Sequence, residues 1–368
     1  LKRLVLLGGG HVHVHCLAAF AADAIPGVRV TLVSPYARQV YSGMLPGWIA
    51  GRYSIDECVI PLAPLAQRAG AAFHQTRAGV IDPIRRVVRC VDGSEHPYDV
   101  LSIDTGPVAD LAHLPGAREH ALPVRPLEEF IAGWCALRDR LRAAGGGRIV
   151  MVGAGAAGVE LALAMHESLR DLPLSRFALI SATDTLPGRS GARLERLARE
   201  AGIEVFAATA AERIVAGGVE VDGGTVIEAD AIIVSTGTAA APWLQRAGLA
   251  LDERGFVLTD STLRVVSHPR VFAAGDCASV RGYPRPKSGV FAVRAGPPLA
   301  ENLRRALAGS VLRNHVPQKR ALYLVSAGSG YAVGSWDGFA WEGAWVWRWK
   351  DRIDRRFIAK YSVGAEEA

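Results

Sequence analysis

The sequence predicts an α/β protein made of two Rossmann-like dinucleotide-binding domains and a small C-terminal segment. Three observations carry this. A glycine-rich turn lies between an apolar run and an Ala/Leu-rich run at the N-terminus, and the same arrangement returns from residue 147. Each copy is followed by a hairpin signal and an apolar strand ending in Thr-Gly. Matching content in matching order reads as an internal duplication.

In the first copy, "KRLVLL" is a short branched apolar run, the pattern of a buried strand, and "CLAAFAADA" has the composition of a helix. Between them Gly8 allows a tight turn and Gly10 a close approach of backbone to a pyrophosphate, with the helix N-terminus facing the anion. The histidines that follow, His11, His13 and His15, raise a metal site as the competing reading. Spacing of two sends helical side chains to different faces, so only His11 and His15 share one. No third ligand is evident, and no metal is expected. Two features depart from the dinucleotide fingerprint. His13 stands where the third glycine falls, and the acid expected roughly 20 positions on is replaced by Ser34.

The second copy, "GRIVMVGAGAAGVELALAMHESL", has the complete set in Gly153, Gly155 and Gly158, followed by Glu160. The paired later elements are "YDVLSIDTGPV", ending in Thr105-Gly106, and "EADAIIVSTGT", ending in Thr236-Gly237. Asp92-Gly93 and Asp222-Gly223-Gly224 are the hairpin signals ahead of them. "HPRVFAAGDCASV" then delivers Gly275-Asp276 at the carboxyl end of a strand, where ligands of open α/β sheets bind. Asp276 is placed to hydrogen-bond a polyol hydroxyl; a plain N-cap is the competing reading. Lys287 and Ser288 precede an amphipathic helix whose first amides face an electron-rich ring or carbonyl.

With 368 residues, half of them apolar and 40 of them Gly, the chain is long enough for two compact domains. The expected division is 1–117 and 241–315 for the first domain, 118–240 for the second, and 316–368 for the tail. No apolar run approaches a membrane span, and an N-terminal strand that enters the fold at once argues against a signal peptide. Five scattered cysteines without a CxxC point to reduced thiols and a cytoplasmic location. A net charge of +6 fits anionic dinucleotides and tolerates a membrane surface without calling for nucleic acid. In the tail, Trp345, Trp349, Ile353 and Phe357 recur every four residues with Arg and Lys between them. One reading makes this stripe a dimer contact or a lid over the first domain; the other attaches it to the inner face of a membrane.

The order of these motifs resembles the two-dinucleotide-binding-domain flavoproteins of the pyridine nucleotide-disulfide oxidoreductase superfamily. "GGGHVHV", "YSGMLPG", "PKSGVFAVRAG" and "WRWKDRIDRRF" are similar to a branch near the type II NADH dehydrogenases. That branch includes modules fused to selenophosphate synthetase, which implies a partner in selenium metabolism. The resemblance implies FAD as cofactor and NAD(P)H as substrate, with hydride passing to FAD and on to a small acceptor such as a quinone. It places Gly8, Gly9, Gly10, His11 and Val12 at the FAD pyrophosphate, Ser34 and Pro35 at the adenosine ribose and Ala78 near the adenine. Thr105 and Gly106 then line the FAD entrance. Gly275 and Asp276 hold the ribityl chain, and Lys287, Ser288 and Gly289 approach the flavin pyrimidine edge. Gly153, Gly155, Gly158, Glu160 and Gly237 fall on the NAD(P)H side. Lys287 and Glu160 are the candidates for a catalytic part.

Three departures shape the expectation. There is no CxxxxC or CxxC near the first loop, so no redox disulfide is expected. Ser181 stands where an NADH-preferring acid would, with Arg189 and Arg193 after it, which leaves NADPH open. Val290 and Arg294 replace the glutamines of the quinone-facing helix. Two rival readings remain: a sulfide:quinone-type oxidoreductase using Cys58 and Cys277, and a flavin-binding regulatory module without turnover.

Overall fold

A computed structural model describes residues 1–362 apart from 185 and 187–189. In chain order the first half supplies β1 (Lys2–Leu7), α1 (His11–Ala22), β2 (Val28–Ser34), β3 (Ala72–Gln75) and β4 (Val100–Ile103). Next come β5 (Leu122–Pro123), α2 (Leu127–Ala143), β6 (Arg148–Val152), α3 (Ala156–Leu169), β7 (Arg176–Ile180), β8 (Glu204–Phe206) and β9 (Ala231–Val234). The chain then returns through β10 (Val271–Ala273) and α4 (Gly289–Ala308), and the tail adds β11 (Tyr323–Ser326), β12 (Ala332–Trp336), β13 (Phe339–Gly343) and α5 (Ala344–Tyr361).

Two five-stranded parallel sheets result. Their orders are β10-β4-β1-β2-β3 and β5-β9-β6-β7-β8. Four consecutive positions match, β4-β1-β2-β3 against β9-β6-β7-β8, so the duplication read from the sequence is a duplication of topology. Each sheet reverses its winding beside the strand that ends in the glycine turn, between β1 and β4 and between β6 and β9, where crevices form outside the strand ends. The central strands are buried on both faces, as parallel strands covered by helices are: Leu4, Leu6, Val150 and Ile233 are fully buried. The hairpin signals fall at the turns of two small antiparallel sheets, between Val87–Cys90 and Glu95–Pro97 and between Gly218–Val221 and Thr225–Glu228. The segments after the two Thr-Gly pairs meet each other, Val108 pairing antiparallel with Ala239.

The missing third glycine has a structural answer. At Gly158 a Cβ would lie 1.9 Å from the Gly153 carbonyl oxygen, so helix and turn touch there. At the equivalent His13 the side chain instead bonds the turn. Nδ1–H donates to the Gly8 carbonyl at 2.6 Å, and Nε2 accepts from Ser102 Oγ on β4 at 2.8 Å. Both side chains are completely buried, and burial holds the imidazole neutral by lowering its pKa to about 4. His11 and His15 do share a helical face, but that face packs on the tail. Their rings lie beside Phe357 and Tyr361, at 5.9 and 6.2 Å between centroids. No group of metal-ligating side chains occurs among the described residues.

In the tail, α5 buries Val346, Lys350, Asp354, Ile358 and Tyr361. Tyr41 Oη donates to Asp354 at 3.0 Å, and the Lys350 ammonium donates to Asp354 at 2.7 Å and to the Gly43 carbonyl. The tryptophan stripe therefore divides. Phe357 turns inward and stacks on Tyr41 at 4.3 Å, whereas Trp345, Trp349 and Ile353 face outward.

Replacing His13 by Ala strands the Ser102 hydroxyl and opens a cavity under α1. A loss of about 2–4 kcal/mol in unfolding free energy is expected by denaturant titration. A change below about 0.5 kcal/mol would show that the histidine does not substitute for close helix packing.

Candidate functional site

A cavity of about 290 Å³ runs along the carboxyl edge of the first sheet. One end is walled by Ser34, Pro35 and Ala78, the middle by Gly8–His11 and Thr105–Gly106, and the far end by Asp276, Gly289 and Ala292. This brings together most residues singled out in the sequence, in the order expected of an extended dinucleotide. The glycines are there because nothing larger fits. At Gly8, whose φ is +96°, a Cβ would lie 2.2 Å from the Asp104 carbonyl oxygen. At Gly9 it would meet Leu62 Cδ1 at 2.4 Å, and at Gly10 the Asp104 carboxyl at 2.3 Å.

Asp104, at the end of β4, escaped the sequence reading. Its carboxyl accepts the N–H of Val12 at 2.8 Å and of His13 at 3.1 Å, capping α1 from a distant strand. Val12, expected at the pyrophosphate, thus spends its amide on Asp104. Burial raises the Asp104 carboxyl to about 7 against the pull of the two amides.

Two buried polar atoms on the cavity lining have no protein partner: His11 Nε2 and Thr105 Oγ1. Buried polar groups are ordinarily satisfied, so these mark places where a bound group supplies the hydrogen bond. Together with the glycine cradle they fit FAD.

Arg125, between β5 and α2, reaches the same cavity from the segment that leads into the second sheet. Burial lowers its pKa, the Asp276 carboxylate opposes this, and its charge in turn helps to hold His11 neutral at about 4. No motif announced it. Asp276 accepts the N–H of Ser288 at the start of α4; burial raises its pKa, opposed by Arg125, Lys287 and that amide.

Lys287 does not line this cavity. Its ammonium donates to the Ala278 carbonyl at 2.6 Å and to Ser279 Oγ at 2.9 Å, and lies 4.0 Å over the Phe256 ring. It lines a neighbouring cavity, together with Gly275. Ser288 contributes its backbone rather than its side chain. Ser34 is buried, its hydroxyl donating to the Tyr36 carbonyl at 3.2 Å.

On the second sheet, Gly153 has a φ of +103° and Gly237 a φ of +130°. A Cβ at Gly155 would meet nothing within 4 Å, so open space lies where a coenzyme phosphate would approach α3. Glu160 does not face that space freely. Its carboxylate accepts the Ser326 N–H at 2.7 Å and lies 4.0 Å from Lys350, tying α3 to the tail, and burial raises its pKa to about 7. Ser181 Oγ shares a hydrogen bond with Thr183 Oγ1 at 3.1 Å, and Arg193 pairs with Glu342 at 3.5 Å. Arg189 lies outside the described residues.

Neither candidate thiol lines the cavity. Cys58 donates to the Ser54 carbonyl at 3.4 Å and Cys277 to the Ala274 carbonyl at 3.2 Å. Burial pushes both thiols up to about 12, far from thiolate at neutral pH.

The family model for pyridine nucleotide-disulphide oxidoreductases matches residues 2–296. The chain is 28% identical over 329 residues to the alternative NAD(P)H-ubiquinone oxidoreductase C1 of Arabidopsis thaliana, covering 76% of this chain and 62% of that protein. It is 33% identical over 210 residues to the nitric oxide reductase FlRd-NAD(+) reductase of Aeromonas hydrophila, covering 55% of this chain and 51% of that one. It therefore spans between half and two thirds of the length of these curated relatives. The solved sulfide:quinone oxidoreductase of Aquifex aeolicus superimposes with a TM-score of 0.81 over 98% of this chain and 91% of that one, at 19% identity. That likeness is one of fold.

Because the folded-state pKa of Asp104 is raised, the native protein keeps a proton there that the unfolded chain releases above pH 3.8. Its contribution to stability is present at low pH and is lost as pH rises towards about 7. Asn at this position accepts the same amide bonds without ionising. Relative to wild type, Asp104→Asn should gain roughly 2–4 kcal/mol between pH 4 and pH 8. Parallel stability curves for the two proteins would contradict the buried-acid account.

Proposed function

Since this chain belongs to the pyridine nucleotide-disulphide oxidoreductase family, we propose that it is an FAD-dependent NAD(P)H oxidoreductase that works without a redox disulfide. The observation that carries the reading is the cavity on the first glycine loop, with its two orphaned polar atoms and with Asp276 at its far end. FAD, when bound, supplies the centre that takes hydride and passes electrons on.

The protein's part is placement and charge. The Gly9 and His11 amides, which the Gly8, Gly10, Val12, His13 and Val14 amides leave as the free donors of turn and first helical turn, hold a pyrophosphate, and Thr105 and His11 supply side-chain hydrogen bonds along the cavity. Asp276 orients a polyol and is itself fixed by the Ser288 amide. Arg125 is the cation that lines this cavity beside Asp276, in the part that the resemblance implies for Lys287. The open shelf at Gly155 receives the pyridine nucleotide. The absence of an acid at Ser181 removes the usual repulsion of a 2′-phosphate, so both coenzymes belong in the test. Cys58 and Cys277 lie off this cavity and burial raises both thiols, which favours this reading over the sulfide-oxidising one.

The outward half of the tryptophan stripe supports a peripheral membrane contact as the finer placement. Trp345 is 52% exposed, Phe339 75% and Trp336 41%, and they accompany Trp349 and Ile353 on the surface. Arg348, Arg352 and Arg356 are exposed beside them on α5. Indole rings flanked by cations suit the headgroup region of an anionic leaflet. No described helix is long and apolar enough to cross a membrane.

Anaerobic addition of about one equivalent of NADH or NADPH should bleach the flavin absorbance of the purified holoprotein. The same bleaching should follow in a Cys58→Ser/Cys277→Ser variant. Absence of reduction by either coenzyme would overturn the oxidoreductase reading; loss confined to the serine variant would restore a thiol mechanism.

Trp345→Ser/Trp349→Ser should abolish co-sedimentation with vesicles of anionic phospholipid at low salt while leaving FAD content unchanged. Wild-type protein that stays in the supernatant would remove the membrane placement.

A further inference from the structure

A second cavity, of about 350 Å³, adjoins the first and shares Asp276 and Ala292 with it. It lies between the start of α4, the segment 278–287 and the turn at 252–258. Four cations, Arg254, Arg281, Arg285 and Lys287, line it against two carboxylates, Asp252 and Asp276. Both carboxylates accept backbone amides, and both still act on Lys287 through space. Asp252 accepts from the N–H groups of Arg254 and Phe256, each at 2.9 Å, and Asp276 accepts from Ser288.

None of the four cations forms an ion pair with a described carboxylate, although arginines elsewhere on the chain are commonly paired, as Arg38 is with Glu128 and Arg196 with Glu200. Two are held in place by neutral groups. Arg254 donates to the Thr238 carbonyl at 3.0 Å, and Lys287 to the Ala278 carbonyl and Ser279 Oγ. An ammonium has three donors, so Lys287 keeps one for a ligand. The guanidinium groups of Arg281 and Arg285 hydrogen-bond no described residue, and Arg285 is steadied only by the Phe291 ring, 5.4 Å away. Burial lowers the pKa of Arg285 with no neighbouring carboxylate to offset it. Like charges gathered in a concave, partly dry site repel one another and focus a positive potential into it. Guanidinium forks with free donors match planar or tetrahedral oxyanions.

We infer that this cavity is a binding site for a small multivalent oxyanion, a molecule carrying a phosphoryl group or paired carboxylates. The assignment concerns a ligand distinct from the pyridine nucleotide and does not depend on which acceptor takes the electrons. Through Asp276 the ligand borders the far end of the FAD cavity, so its charge is felt there.

The test is calorimetric titration of the oxidised, FAD-loaded protein with inorganic phosphate and, separately, with citrate, at constant ionic strength with chloride as the control. Saturable one-site binding of at least one of the two is expected, with no heat from chloride. Arg281→Gln and Arg285→Gln, made singly and together, should weaken that binding by about tenfold or more while FAD content and melting temperature without the anion stay at wild-type values. Two separate substitutions at solvent-accessible positions keep the test valid if one of them disturbs folding. No saturable binding of either probe overturns the assignment. So does binding of equal strength in the folded variants, which would place the anion elsewhere, for example on the Gly155 shelf.

Discussion

One buried carboxyl group holds the first half of this protein in register. Asp104 ends β4, accepts two amides from the first turn of α1, and lies so close to Gly10 and Gly275 that a Cβ on either would fall within 2.4 Å of it. Strand, turn, helix and the β10 loop therefore meet around a single side chain. Capping from a neighbouring strand satisfies donors that a helix N-terminus leaves open. It also helps to fix which amides remain for a ligand: those of Val12 and His13 go to its carboxyl and that of Gly10 to its carbonyl, which leaves the Gly9 and His11 amides. A negative charge under a helix N-terminus would weaken anion binding there, and burial limits this by keeping the carboxyl protonated up to about neutral pH.

What was legible in the sequence follows from locality. Gly8, Gly153, Gly275 and the Asp-Gly turns each need a positive φ, a local demand of the backbone, and the structure has them where the pattern placed them. The repeated order of strand, turn, helix, hairpin and Thr-Gly was legible because topology was duplicated with it. Asp104 and Arg125 were not, since each acts across a long stretch of chain and belongs to no local spacing rule. The direction of Lys287 depends on Phe256 and Ser279, which no helical or strand period brings beside it. His13 looked like a defect because the glycine rule describes one way of packing helix on strand; a buried imidazole bonded to both is another. The period of the tail stripe was correct, but the choice of Phe357 as the member that turns inward rests on Tyr41, more than 300 positions away.

The tail does more than cover an edge. Glu160, Lys350, Asp354 and Tyr41 bring together α3 of the second sheet, α5, and the segment after β2. Burying ionised groups is tolerated only when each is paired and hydrogen-bonded, and here the partners come from three separate parts of the chain. A movement of the tail thus bears on both halves. Its outer face keeps three tryptophans available to a surface while Phe357 on its inner face packs against His11 and Tyr41 beside the first cavity.

The central claim is a division of labour between two look-alike loops, the first holding FAD and the second receiving NAD(P)H. Gly155 separates them most directly, since its backbone suits any residue and a Cβ there meets nothing within 4 Å. The measurement is FAD content together with the dissociation constant for NADH and NADPH in Gly155→Val. The account predicts wild-type FAD content and folding, with coenzyme binding and flavin reduction weakened at least about tenfold. Loss of FAD with coenzyme binding intact, or no effect on either, would contradict it.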